Sequence, residues 1–197
     1  MKSPVPILLA VCALLSIGHS RSPSRPEDAA PPAARTVIVL RHAEKDTAAK
    51  DPRDPPLSAA GAVRAQELAR LLGASGATHL YTSDLARTRE TLAPLAARLA
   101  LVSEAVPAAQ PEEVVARLDA LPAGSAAVVC GHSNTVPRIA ELLGVKLPGL
   151  VEVQGLPMLA DDSYDRVFVI TRPAIGPAAC LELRYGAPSG ATSSAGK

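Results

Sequence analysis

The chain is predicted to be an α/β protein, a three-layer α/β/α sandwich built on a mostly parallel sheet. Three observations carry the prediction. TVIVL at Thr36–Leu40 and SAAVVC at Ser125–Cys130 are short apolar runs, the first rich in β-branched residues, and both read as buried strands. Helical patterns alternate with the strand patterns, the order that produces parallel strands with helices on both faces. Both runs end in histidine-bearing tips, Arg41-His42 and Gly131-His132, at the carboxyl ends where such sheets bind ligands.

Length and charge narrow the functional classes. The 197 residues make one domain once the ends are set aside, with an aliphatic core large enough to need no metal or disulfide staple. A formal net charge of +1 without a basic run, and only 2% aromatic residues, offer neither a track for a nucleic-acid backbone nor a base-stacking platform. No nucleic-acid partner is expected.

At the amino end, one lysine precedes the apolar run Val5–Ile17, followed by small residues at Gly18 and Ser20. Residues 1–20 are read as a cleaved export signal, which predicts a periplasmic or secreted protein with no stable membrane insertion after cleavage. An uncleaved anchor is the alternative, but the run is shorter than the roughly 20 residues a spanning helix needs. Cys12 follows Val11, not a small residue, so a lipoprotein signal is not indicated. Residues 21–35, rich in Pro, Ala and Ser, form a linker. The folded domain is expected over 36–186, and Ala187–Lys197, with nothing to bury, as a disordered tail.

Within the domain, the Asp- and Pro-rich Asp46–Pro56 should loop over the first strand tip. Ser58 can cap a helix whose inner face is Gly61, Ala65, Leu68 and Leu72, with Arg64, Glu67 and Arg70 outward and Gly73 closing it. His79–Thr82 is a second strand. Ser83 or Asp84 can cap the next helix, which places Arg87 in its first turn; Leu92, Leu95 and Leu99 recur along it, and Pro94 should kink it. Leu101–Val106 suits another strand. Pro111 opens a helix at its favoured first position, with Glu112 and Glu113 at the positive dipole end and Val114, Leu118 and Leu121 inward. After the Ser125–Cys130 strand, Ser133 or Asn134 can cap a helix to about Leu143. Val151–Asp162 has no assignable pattern, and Asp165–Arg172 and Cys180–Arg184 are two closing strands.

Four elements thus deliver two arginines and two histidines to one edge of one sheet. Arginine supplies a permanent forked cation and histidine a nitrogen that changes protonation near neutral pH, a combination suited to phosphate. The stretches that carry them are RHAEK at Arg41–Lys45, TSDLARTRET at Thr82–Thr91 and GHSNT at Gly131–Thr135. In order and spacing they resemble the histidine phosphatase superfamily, in its compact branch 1 form, which has the phosphoglycerate mutase-like fold. The resemblance implies a metal-independent phosphomonoesterase in which His42 is the nucleophile, taking the phosphoryl group on a ring nitrogen. Arg41, Arg87 and His132 would hold the phosphoryl oxygens, where fixed cations stabilise charge spread in the transition state.

The expected substrate is a small-molecule phosphomonoester or phosphorylated glycan, since the compact branch includes phosphohistidine and heptose-phosphate phosphatases and export favours the latter kind. A non-catalytic phosphate- or anion-binding module with the same pocket, or a phosphomutase, are the alternatives. The general acid stays unassigned among Glu112, Glu113, Asp46, Asp51 and Asp54. The four histidines lie far apart, none with a close-spaced ligand partner, so neither a metal nor another cofactor is expected. His79 has no motif around it and reads as structural. Cys130 and Cys180 can pair if the closing strands return beside the Cys130 strand; two separate thiols are the other reading.

Overall fold

The computed structural model describes residues 33–189. The expected export signal at 1–20, nearly all of the expected 21–35 linker and the expected tail from 190 on lie outside the described residues.

Six strands form the main sheet. They are β1 (Arg35–Arg41), β2 (His79–Ser83), β3 (Ser103–Val106), β4 (Ala126–Gly131), β7 (Arg166–Arg172) and β8 (Ala179–Arg184), in the order β3-β2-β4-β1-β7-β8. The first three pairings are parallel; β1–β7 and β7–β8 are antiparallel. The helices are α1 (Ala59–Leu72), α2 (Ala86–Leu99), α3 (Pro111–Ala120) and α4 (Thr135–Leu142).

Alternation along β1 explains why both faces are covered. Val37 and Val39 pack with Val114, Leu118 and Ile139 of α3 and α4, whereas Ile38 and Leu40 pack with Leu68, Leu92 and Leu95 of α1 and α2. Successive side chains point to opposite faces, so a strand between two helical layers must be apolar throughout.

Local expectations were met at α1 and α3. Ser58 Oγ accepts from Gly61 N at 3.1 Å, Gly73 closes α1, and Pro111 opens α3. Gly61 is required sterically, because a Cβ there would stand 2.2 Å from the Glu44 carbonyl oxygen. Val151–Asp162, unassigned from sequence, holds a small hairpin of β5 (Val151–Val153) and β6 (Leu156–Met158).

Two local readings are corrected and two open alternatives are decided. Arg64, expected outward, is buried: Nε donates to Glu44 Oε1 at 2.9 Å, Nη2 to the same atom at 2.7 Å, and Nη1 to the Tyr185 carbonyl at 3.0 Å. A long side chain on the flank of an apolar stripe can turn inward when a carboxylate and free carbonyls await it. Ser83 and Asp84 do not cap α2, whose cap position is Leu85 without a side-chain bond; of Ser133 and Asn134, Asn134 takes the cap position of α4, also without a side-chain bond. Cys130 and Cys180 are both free; β1 and β7 stand between their strands, and three strand spacings come to roughly 14 Å, twice the reach of a disulfide. At the carboxyl end, Arg64 binds the Ala187 carbonyl at 2.9 Å and Ser189 Oγ donates to Asp165 at 2.6 Å.

Candidate active site

Adjacency of β1 and β4 creates the site. Their parallel register ends at Arg41 opposite Gly131, and His42 N continues the ladder by donating to the Gly131 carbonyl at 2.9 Å. The rings of His42 and His132 therefore meet edge to face, with centroids 5.3 Å apart. Gly131 permits this chain path: a Cβ would stand 2.7 Å from Thr135 Oγ1, which instead accepts from His132 N at 2.8 Å.

Each imidazole is held by one identifiable bond. His42 Nδ1 lies 2.8 Å from the Ala43 carbonyl. A carbonyl only accepts, so Nδ1 carries the hydrogen and the neutral ring keeps its lone pair at Nε2. His132 Nε2 lies 2.9 Å from Ser83 Oγ, which also accepts from Leu85 N at 3.2 Å. Thr91, the last residue of TSDLARTRET, links the motifs: its Oγ1 accepts from Ala43 N at 2.9 Å and donates to the Arg87 carbonyl at 2.7 Å.

The cations converge from two elements. Arg41 Nη1 donates to the carbonyls of Ala160 and Asp161 at 2.8 and 2.9 Å, and its guanidinium lies 4.4 Å from the Tyr164 ring centroid. Arg87, in the first turn of α2, places Nη1 3.9 Å from Asp54. Arg41 Nε and Arg87 Nε and Nη1 are buried with no hydrogen-bond partner among the described residues. Arg41, His42, Arg87 and His132 line one cavity of about 310 Å³, together with Lys45, Ser133, Asn134 and Asp161.

Burial sets the protonation states. His42 is 4% and His132 7% exposed. Desolvation lowers the His42 pKa to about 3, against the opposing Ala43 hydrogen bond and with help from the Arg41 charge. Desolvation, then the charges of Arg87 and Arg41, lowers His132 to about 4. Both rings are thus neutral at physiological pH, and a neutral imidazole is the nucleophilic form. The arrangement can bind a phosphoryl group by fixed cations and present a nitrogen lone pair to its phosphorus.

All four predicted residues come together, whereas the five candidate acids do not. Glu112 pairs with Arg138 and Glu113 with Arg117, at 3.0 Å each. Asp46 and Asp51 accept from the backbone of their own loop, at Ala48 and Arg53. Asp54 accepts from Ala86 N at 2.8 Å, anchoring the start of α2 beside Arg87. Sequence reasoning missed Asp161 and Tyr164, which lie in or just after a stretch without periodicity, and the part played by Ser83. A serine immediately before the arginine-bearing helix was the signal available for the last.

Comparison with known proteins came to the same region. Residues 37–110 match the model of the histidine phosphatase superfamily (branch 1), a span containing Arg41, His42 and Arg87. No curated protein sequence matches the chain. Among solved structures, the protein histidine phosphatase SixA complexed with tungstate is 19% identical, covering 76% of this chain and 96% of its own, with a TM-score of 0.60. A mycobacterial glucosyl-3-phosphoglycerate phosphatase is 19% identical, covering 70% and 90%, with a TM-score of 0.54. A protein described as mycobacterial hydrolase 1 is 18% identical, covering 79% and 100%, with a TM-score of 0.58. Residues 37–110, from β1 through β3, are thus similar to the histidine phosphatase superfamily (branch 1), and the chain shares the α/β fold of these solved structures.

Proposed function

We propose that this protein is a metal-independent phosphomonoesterase working through a phosphohistidine on His42. The observation that carries the reading is a buried, neutral His42, its hydrogen on Nδ1, in one cavity with Arg41, Arg87 and His132. Nε2 attacks phosphorus in line while Arg41, Arg87 and His132 stabilise the charge on the three equatorial oxygens. Water then attacks the phosphohistidine, releasing phosphate and free His42. The cations that hold the oxygens are arginines, so turnover requires no divalent metal. The N-terminal apolar run Val5–Ile17 supports export, and with it a sugar phosphate or envelope-glycan phosphate as substrate outside the cytoplasm.

The test uses protein beginning at Arg21, an aryl phosphate with and without EDTA, and the variant His42→Ala. EDTA-resistant hydrolysis that disappears in the variant supports the phosphohistidine route. Absence of turnover between about pH 4 and about pH 8, by protein shown to be folded, refutes it and leaves a phosphate-binding module. Export is checked by locating the chain and sequencing its mature amino terminus; recovery of uncleaved chain in the cytoplasm counts against it.

A further inference from the structure

Breaking an ester P–O bond requires a proton on the departing oxygen when the leaving group is an alcohol, and none of the five acids named from sequence is among the residues that line the cavity. We propose, on the phosphohistidine reading above, that Asp161 is the general acid and that the preferred substrates are esters of poor, alcohol-type leaving groups.

Asp161 is the carboxylate among the described residues lining the cavity. Two bonds place its loop. Arg41 Nη1 holds the Ala160 and Asp161 carbonyls at 2.8 and 2.9 Å, and Leu159 N donates to the Ser133 carbonyl at 2.9 Å. The residue beside the nucleophile and the residue after His132 thus fix the backbone from which Asp161 projects. Its own carboxylate has no hydrogen bond or ion pair among the described residues, in contrast to Glu44, held by Arg64, Asp54, held by Ala86 N, and Asp84, which accepts from Ala108 N at 2.9 Å. Leu85 and Ala108 also line the cavity and have no proton to give. Asp161 is therefore the acid left free to act, on a loop placed by those backbone bonds.

The steps balance. As the bond from His42 Nε2 to phosphorus forms, the P–O bond breaks and its electron pair stays on the leaving oxygen, which takes the Asp161 proton and departs as alcohol. In the second half, the Asp161 carboxylate takes a proton from the attacking water, the oxygen–phosphorus bond forms, and the P–N bond breaks to restore His42 and release phosphate.

The experiment compares kcat/KM for a nitrophenyl phosphate and a simple alkyl phosphate in the parent, Asp161→Asn and Asp161→Glu. This constant reports the steps through departure of the leaving group, and a nitrophenolate departs without a proton. A positioned acid contributes on the order of 100-fold or more, so Asp161→Asn should lose about that factor on the alkyl ester and a far smaller one on the nitrophenyl ester, with Asp161→Glu recovering part of the alkyl activity. An equal loss on both esters, including complete loss on both, or no loss on the alkyl ester, overturns the assignment. Failure of the parent to hydrolyse either ester overturns the phosphatase reading itself, and the proposal with it, so the two failures are distinct.

Discussion

His42 and His132 make the stability of the fold depend on pH by an amount that follows from their burial. Each has an ordinary pKa of 6.5; in the folded chain His42 is held to about 3 and His132 to about 4, chiefly by desolvation of the charged ring. Between these values and 6.5 the unfolded chain binds more protons than the folded one, so stability rises with pH and is lost as pH falls through the unfolded value. For either histidine, the shift removes about 2 kcal/mol between about pH 7 and about pH 5, or about 4 kcal/mol for the pair. Carboxylates contribute little in this window because they titrate mostly below it. The measurement is the urea midpoint of the parent and of His42→Asn at several pH values across that range, in buffer free of phosphate, which would bind the site and mask the effect. The variant lacks one titrating ring and should show about half the parent's dependence. A parent stability that does not change across the window, or a variant with the parent's full slope, refutes the claim that burial holds His42 neutral.

Two further outcomes follow from the fold. Glu44→Gln removes the counter-ion of buried Arg64 two residues from the nucleophile and should cost about 2–4 kcal/mol, read from chemical unfolding; a change under about 1 kcal/mol would mean the pair is dispensable. In native protein beginning at Arg21, Cys180, which is exposed, should react with a thiol reagent while Cys130, which is buried and has its pKa raised by desolvation, reacts only on unfolding; rapid reaction of both, or of neither, contradicts the placement.

How far the sequence carried the site depended on where each residue sat. Arg41, His42, Arg87 and His132 occupy strand ends and a helix start, so apolar periodicity located them before any contact was known. Ser58 and Pro111 were equally legible because caps and first-turn prolines act through their immediate neighbours. Arg64 was misread because helical spacing marks its angular position, not what waits there: Glu44, Tyr185 and Ala187 come from distant parts of the chain. Ser83 looked like a cap, but besides Leu85 N its hydroxyl meets His132 Nε2 and the Thr88 hydroxyl. The cysteine pairing turned on strand order, which alternation of strands and helices does not specify.

The sequence by itself determined the α/β class, the strands and helices of the main sheet's layers, and the two arginines and two histidines at strand ends and a helix start, because these depend on local periodicity and on motifs carried within single segments. Tertiary structure alone decided that β4 lies beside β1, and hence that His42 meets His132. It also decided that Arg64 turns inward, that Glu112 and Glu113 spend their charge on surface arginines, and that Asp161 reaches the cavity from a loop with no pattern of its own. The physical reason is that local elements follow from side-chain spacing, whereas the partners of a charge are chosen by which distant segments the packed sheet brings within hydrogen-bonding distance.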